Sequence, residues 1–419
     1  MEMQHDIHTR TATGELDPSD RALLGAIRTG FNQGASSEEN DQRWWATSVQ
    51  DAHRFRYATR RPLVTGLGLD ERPVATFGSF THTVNVGGGR LLEADFITDV
   101  TVRTTDRRQG LLRRMMTDEL TCARDQGLAL ATLTASEGSI YGRFGFGVAT
   151  RAQRVEVEAS ERFQLRRQPA AVVEQADPPA IADLLERLHA EAHARYRGSH
   201  QPPAFRRAWL SGEWDWDTMA ASTKLRAAVA VRDGQVVGAL THELTDEAEH
   251  TTVLDLVGDD DAALALWQHL ARLDLVSTIR YGCLQDGSPL RAALVDQRVV
   301  TTKADRDQCW LRLLDVPRAL AERGWDGDGE VVLKVGDPMG LADGCSRLHV
   351  SQGRATVEAA AADQAEVDCP VDALAEAYLG LTSIAVLAAA GRVTGEPEAM
   401  RRLGRMLAVD RPPRNSIVF

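Results

Sequence analysis

Lysine is nearly missing from this chain. Of its 48 basic residues only Lys224, Lys303 and Lys334 are lysines, and 60 acidic residues leave a formal net charge of −12. Such a field repels a phosphate backbone, which disfavours a nucleic-acid partner, and it attracts small cations. Cysteine is sparse too. Cys122, Cys283, Cys309, Cys345 and Cys369 are odd in number, scattered and free of metal-ligand spacing. They exclude a disulfide framework, offer no metal site and read as reduced thiols of a cytoplasmic protein. No apolar run approaches membrane-spanning length; Ile384 to Ala390 is the nearest and is too short. Residues 1–17 are polar and lack the apolar segment of a secretory signal, so none is expected.

What is present is an ordinary globular composition, 43% hydrophobic and 26% charged, over 419 residues. That length predicts two or three domains. The most informative stretch is Val100 to Gly110, Val-Thr-Val-Arg-Thr-Thr-Asp-Arg-Arg-Gln-Gly. A β-branched run (Phe96, Ile97, Val100, Val102) ends in a basic turn, and an amphipathic helix follows at once through Leu111, Leu112, Met115, Met116 and Leu120. This order aims backbone N–H groups and a positive dipole end at one point, as a pyrophosphate requires. Gly110 permits close approach, and Arg107 and Arg108 add charge-assisted hydrogen bonds. Leu128 to Thr134 then reads as a buried parallel strand, followed by a glycine-rich loop from Ala135 to Gly147.

The turn resembles motif A of the GCN5-related N-acetyltransferases (GNAT), Arg/Gln-x-x-Gly-x-Gly/Ala, with Leu112 at its last position. Joined to Ser136-Glu137-Gly138-Ser139-Ile140-Tyr141-Gly142-Arg143-Phe144-Gly145, it is similar to the Eis (enhanced intracellular survival) family of that superfamily. The likeness continues through Trp310-Leu311-Arg312, Asp315-Val316-Pro317 and Tyr378-Leu379-Gly380 to Phe419. It implies an α/β fold of mixed sheets in three parts. These are a catalytic GNAT domain over 1–158, a degenerate GNAT-like domain over 159–300 and a sterol-carrier-protein-like domain over 301–419. It also implies acetyl-CoA as cosubstrate, no metal, a homo-oligomer (a hexamer), and a cationic amine acceptor such as an aminoglycoside or a lysine side chain. Residues matched to cofactor positions are Val100, Thr101, Val102, Arg107, Arg108, Gln109, Gly110, Leu111, Leu112, Arg113, Ser136 and Glu137.

Acyl transfer from a thioester to an amine needs a proton acceptor for the amine and a proton donor for the thiolate. Tyr141 follows the Leu128 to Thr134 strand through a glycine-bracketed loop and stays protonated at neutral pH, which suits a general acid. The matching family tyrosine has that role. Ile417-Val418-Phe419 is an apolar end on a Pro-stiffened tether, Arg411 to Ser416, and an apolar terminus is expected to be buried. In the Eis family this terminal carboxylate accepts the amine proton. The acceptor pocket is expected along Phe31 to Trp45, where Glu38, Glu39 and Asp41 offer charge and Trp44 and Trp45 offer stacking. Two non-catalytic alternatives are an apolar-ligand carrier and a CoA-binding regulatory protein.

Further along, Asp17-Pro18-Ser19 caps a helix through Phe31. Strands Val74 to Val86 and Leu91 to Val102 flank Gly87-Gly88-Gly89, read as a hairpin turn because no Lys-Ser/Thr follows it. A fainter copy of this unit recurs: a helix Pro178 to Arg197, a hairpin Leu225 to Leu240 turning at Asp233-Gly234, a strand Thr251 to Val257 and a helix Ala262 to Leu273. Its turn, Gly258-Asp259-Asp260-Asp261, places three carboxylates where the first copy has arginines and is expected to exclude CoA. From 301 onward, strands Trp310 to Leu313, Val331 to Val335 and Leu348 to Val350, an apolar helix Val371 to Arg392 and a short helix Leu403 to Ala408 make an α+β unit plausible. His189 and His193 are four apart, but Glu191 falls on another helix face than the zinc motif His-Glu-x-x-His requires, so packing is expected.

Overall fold

Twelve strands make one continuous sheet in the computed structural model, which describes residues 4–214, 220–244 and 249–419. The first half supplies β1 (Asp6–Thr11), β2 (Arg54–Thr59), β3 (Ala75–Asn85), β4 (Leu91–Val102), β5 (Leu130–Leu133) and β6 (Gly147–Glu158). The second supplies β7 (Val172–Ala176), β8 (Leu225–Arg232), β9 (Gln235–Leu244), β10 (His250–Gly258), β11 (Thr278–Gln285) and β12 (Val300–Leu313). Their spatial order is β1-β2-β3-β4-β5-β12-β6-β11-β10-β9-β8-β7. Three helices of the first half are α1 (Pro18–Gly30), α2 (Glu38–Gln50) and α3 (Leu111–Asp125).

The repeat read from the sequence is visible in the pairing. In each half an antiparallel set ends in a parallel pair joined by a helix, β4–α3–β5 and then β10–helix Asp260–Leu270–β11. The halves exchange their last strands. β6 pairs with β11 of the second half, and β12 crosses back to pair with β5, Trp310 opposite Leu133 and Leu313 opposite Leu130. Trp310 to Leu313, assigned from sequence to the C-terminal unit, therefore lies inside the large sheet. Leu311 and Leu313 are fully buried there, in one core with Phe96, Leu130 and Ala149.

A second sheet holds β13 (Gly329–Gly336), β14 (Gly344–Ser351), β15 (Arg354–Ala359), β16 (Val367–Pro370) and β17 (Thr394–Gly395), in the order β15-β14-β13-β16-β17. The apolar run Val371 to Arg392 is not one helix. It forms two, Val371–Tyr378 and Ile384–Ala389, because Gly380 turns left-handed at φ +88° between them. The last helix is longer than expected, Pro397–Leu407. Val331, Tyr378 and Leu403 share the core that contains Phe96 and Leu311, so the two sheets have one interior. Gly87, Gly88 and Gly89 all have positive φ and form the β3–β4 turn, as read. A Cβ on Gly87 would collide with the guanidinium of Arg197, which hydrogen-bonds the carbonyls of Val86 and Gly324 at 3.0 Å.

Candidate active site

The basic turn has the form its sequence demands. Asp106, fully buried, anchors it by accepting from Arg60 Nε at 2.6 Å, with His5 Nε2 at 3.1 Å. Arg108 and Gly110 then take positive φ, +64° and +78°, and α3 begins at Leu111. Gly110 has no side chain to cap the helix, so the N–H groups of its first turn have no side-chain acceptor. Arg107, Arg108, Gln109, Gly110 and Arg113 are exposed around it. Three cations make no ion pair among the described residues and flank the uncapped donors. That is the donor set of an anion site.

Beside the turn, the sheet opens. β4 and β5 pair only from Ala94–Leu130 to Ile97–Leu133, so residues 98–102 have no β5 partner on that edge. A β-bulge lies just there: β3 pairs Thr76 with Thr101 and then Gly78 with Thr98, leaving Asp99 and Val100 opposite Phe77 alone. Asp99 adopts φ +53°, and its carbonyl accepts from Thr76 Oγ1 at 2.7 Å. The split leaves the β5-facing edge of Val100, Thr101 and Val102 without a strand partner, although the carbonyl of Val102 accepts from Arg107 Nε at 3.3 Å.

Tyr141 stands beyond the end of β5, buried among Leu111, Met115 and Phe146. Burial, with a smaller contribution from Glu137, pushes its hydroxyl up to about 12. It is thus a proton donor throughout the neutral range. Ser136 and Glu137 are exposed on the loop before it.

The C-terminal tail is held at several points. Asp260 accepts from Arg411 Nη1 at 2.5 Å and from Arg414 Nη1 at 3.0 Å. Arg414 N donates to Arg197 O at 2.8 Å, and Asn415 N to Gln285 Oε1 at 2.8 Å. Ile417 is 2% exposed. Phe419 is half-buried, its ring 4.7 Å from Phe96, 5.9 Å from Phe80 and 5.9 Å from His200. His200, enclosed with Thr132 and Cys309, is pushed down to about 3 by burial and so stays neutral.

Phe419 and Val418 lie on the wall of a cavity of about 440 Å³ between α1, α2 and the β4 bulge. Phe31 and Trp44 line it as read from sequence; the expected carboxylates do not. Glu38 and Glu39 are exposed and pair with Arg21 and Arg43. Asp41 turns inward but is held by Arg28 at 2.9 Å, and Trp45 is buried against Phe55. The cavity's acids are instead Asp51 and Asp99, which sequence reasoning passed over. Tyr141 is not on this wall.

The turn of the second half is filled by its own acids. Asp259 caps its helix by accepting from Ala262 N and pairs with Arg232 at 2.5 Å. Asp261 accepts from Ala170 N and Ala171 N, and Asp260 holds the tail. Carboxylates thus surround this turn where the first half presents arginines. His189 and His193 are packed, bonded to Asp255 at 2.7 Å and Thr83 at 2.8 Å. No group of metal-ligating side chains is assembled among the described residues, nor is any of their helices long and apolar enough to cross a membrane.

Comparison with known proteins agrees with this layout. An acetyltransferase (GNAT) domain family matches residues 24–149, a second acetyltransferase (GNAT) domain family residues 205–313, and a sterol carrier protein domain family residues 316–415. An uncharacterized N-acetyltransferase of Streptomyces avermitilis is 34% identical over 388 residues, 90% of each chain. The N-acetyltransferase Eis of Mycobacterium tuberculosis is 31% identical over 348 residues, 80% of this chain and 83% of that one. The chain belongs to the Eis family of N-acetyltransferases. The crystal structure of Eis1 from Mycobacterium abscessus superimposes with a TM-score of 0.79 at 25% identity, over 99% of this chain and all of the other. A GCN5-related N-acetyltransferase from Anabaena variabilis shares the fold, with a TM-score of 0.80 at 16% identity. This Eis-family acetyltransferase thus carries one open basic turn, one turn lined by its own carboxylates, and a sterol-carrier-like unit that ends beside the open strand.

Proposed function

We propose that the enzyme transfers the acetyl group of acetyl-CoA directly to a primary amine of a cationic acceptor, with Tyr141 as general acid and the Phe419 carboxylate as general base. GNAT enzymes use acetyl-CoA, whose thioester supplies an activated acetyl group. The residues present suit it. Arg107, Arg108 and Arg113, Gln109 and the uncapped N–H groups from Leu111 onward would hold its pyrophosphate. Val100, Thr101 and Val102 would face its arm along the unpaired edge, with Ser136 and Glu137 alongside. Amide formation strips a proton from the amine and leaves a thiolate that needs one. The terminal carboxylate of Phe419 would take the first, and Tyr141 would give the second.

The observation that carries this reading is the seat of Phe419: a tail tied down at Asp260, Arg197 and Gln285 delivers the last residue of the chain to the wall of a cavity that also holds the β4 bulge. Semisynthetic amidation of the terminus removes the charge and adds no side chain. Turnover is expected to fall by roughly 10²-fold, the scale of general-base catalysis, with acetyl-CoA affinity unchanged. An amidated enzyme as fast as the native one at every pH would exclude the terminus as base. The same reading includes a hexameric assembly, which light scattering on the full chain tests.

A further inference from the structure

The cavity beside Phe419 is mostly hydrocarbon. Leu24, Ile27, Phe31, Trp44, Phe80 and Phe205 form its walls, from α1, α2, β3 and the helix after Pro203. Two of its charged groups are engaged already. Asp51 accepts from Ala204 N at 2.8 Å and pairs with His82 Nε2 at 3.2 Å, and Arg28 is committed to Asp41. His53, pushed down to about 4 by burial, is neutral. One side-chain carboxylate differs: Asp99, on the bulge, has no hydrogen bond or ion pair to its carboxyl among the described residues. Burial pushes that carboxyl up to about 7, the mark of an enclosed acid with no cation beside it.

We propose that the acceptor is a primary amine carried on an apolar, aromatic-sized body, and that Asp99 receives its ammonium group. The proposal rests on the acetyl-transfer reading above and narrows its acceptor. A polycation would have to bury its further charges against Leu24, Ile27 and Phe80, and no second uncommitted side-chain carboxylate waits for them among the described residues. A monoamine with an aryl or alkyl body leaves no buried charge unpaired. Its ammonium meets Asp99 and its body the aromatic wall; one proton leaves to solvent to free the amine lone pair, and the terminal carboxylate on the same cavity would take the second as the amide forms. Asp99 is then a specificity residue, fixed by the bulge at the point where β4 leaves β5.

The test compares phenethylamine, spermidine and an aminoglycoside as acceptors for the full-length enzyme at saturating acetyl-CoA, followed by thiol release. Phenethylamine is expected to exceed both polycations in kcat/KM by tenfold or more. Asp99→Asn suits the second arm, since asparagine tolerates positive φ as aspartate does. It should raise the phenethylamine KM about tenfold and leave the acetyl-CoA KM unchanged. Phenethyl alcohol, the neutral isostere, should inhibit the native and Asp99→Asn enzymes equally, which a merely loosened pocket would not give. A polycation as the best substrate, or an unaltered amine KM in Asp99→Asn, would overturn the proposal. If acetyl-CoA binds but no amine is acetylated, the transfer reading itself fails. Calorimetric binding of phenethylamine to the two enzymes then still decides the role of Asp99: a tenfold loss in the variant supports it, equal affinity ends it.

Discussion

Replacing Asp260 by alanine removes the common acceptor of two arginines on the C-terminal tail. Arg411 is 61% exposed at its side chain and Arg414 13%. The exposed pair contributes about 0.2–1 kcal/mol, and the enclosed charge-assisted bond about 1.5–3 kcal/mol. The tail therefore loses roughly 2–4 kcal/mol of tethering, about 30- to 1,000-fold in its docking equilibrium. Asn415 and Ile417 still hold it, so detachment is transient. Hydrogen exchange at the amides of Arg414, Asn415 and Ile417 is expected to accelerate by that factor. kcat should fall less, roughly 3- to 10-fold, while the acetyl-CoA KM stays constant because the α3 terminus lies in the other half. Burial opposes ionisation of Asp260, but Arg411 and Arg414 together outweigh it and hold the carboxyl below its usual range. The clamp is consequently whole above about pH 4 and is lost only as pH falls through that lowered value, so assays at pH 6–8 read the intact contact. Accelerated exchange with an unchanged kcat would remove the terminus from catalysis. Unchanged exchange would mean that Asp260 does not hold the tail at all.

Tyr141→Phe should lower kcat by roughly 10²-fold with acetyl-CoA affinity unchanged, because a proton donor acts mainly in the transition state; stopped-flow turnover at saturating acetyl-CoA checks it. Arg108→Glu should weaken acetyl-CoA binding by about 2–4 kcal/mol, and calorimetry on the native chain should find one site, since a second would contradict the carboxylate-lined turn at Asp259 to Asp261. Burial pushes His53, His193 and His242 down to about 4, and His200 to about 3. The unfolded chain, with histidines near 6.5, binds more protons than the folded one below that pH, so stability is complete above about 6.5 and declines toward pH 4 by about 1.4 kcal/mol per pH unit for each histidine. Urea midpoints that stay flat between pH 6.5 and 4.5 would refute it.

The parts of this molecule that could be read from its residues are those settled by neighbours in the chain. Arg107 to Gly110, α3, the Gly87–Gly89 turn and the repeat of strand, acidic turn and helix at Val257 to Leu270 each carry their pattern within a dozen residues. Pairings across long distances were not legible. Trp310 to Leu313 looks like a strand from any starting point, and nothing local says that its partners are Leu130 to Leu133. The cavity acids escaped for a related reason. Asp99 sits in a β-branched run, and its inward aim depends on a bulge that appears only in the register with β3. Glu38, Glu39 and Asp41 were plausible by composition, but α2 turns the first two to solvent and gives the third to Arg28. The apolar pattern over Val371 to Arg392 runs on past Gly380, whose left-handed turn breaks the helix.

The exchange of final strands has a consequence for synthesis. During translation β5 and β6 emerge long before β12, which lies between them. Until residue 313 has left the ribosome, the edge of β5 and the edge of β6 that face β12 stand unpaired, and the other edge of β6 waits for β11; such edges are templates for pairing with other chains. A fragment ending at residue 158 would keep those edges permanently. It should gather into oligomers rather than fold as a small acetyltransferase, and adding residues 278–313, which carry both β11 and β12, as a separate peptide should reduce that association. The boundary that evolution could cut is therefore not the one between the two repeats, since each repeat completes the other's sheet.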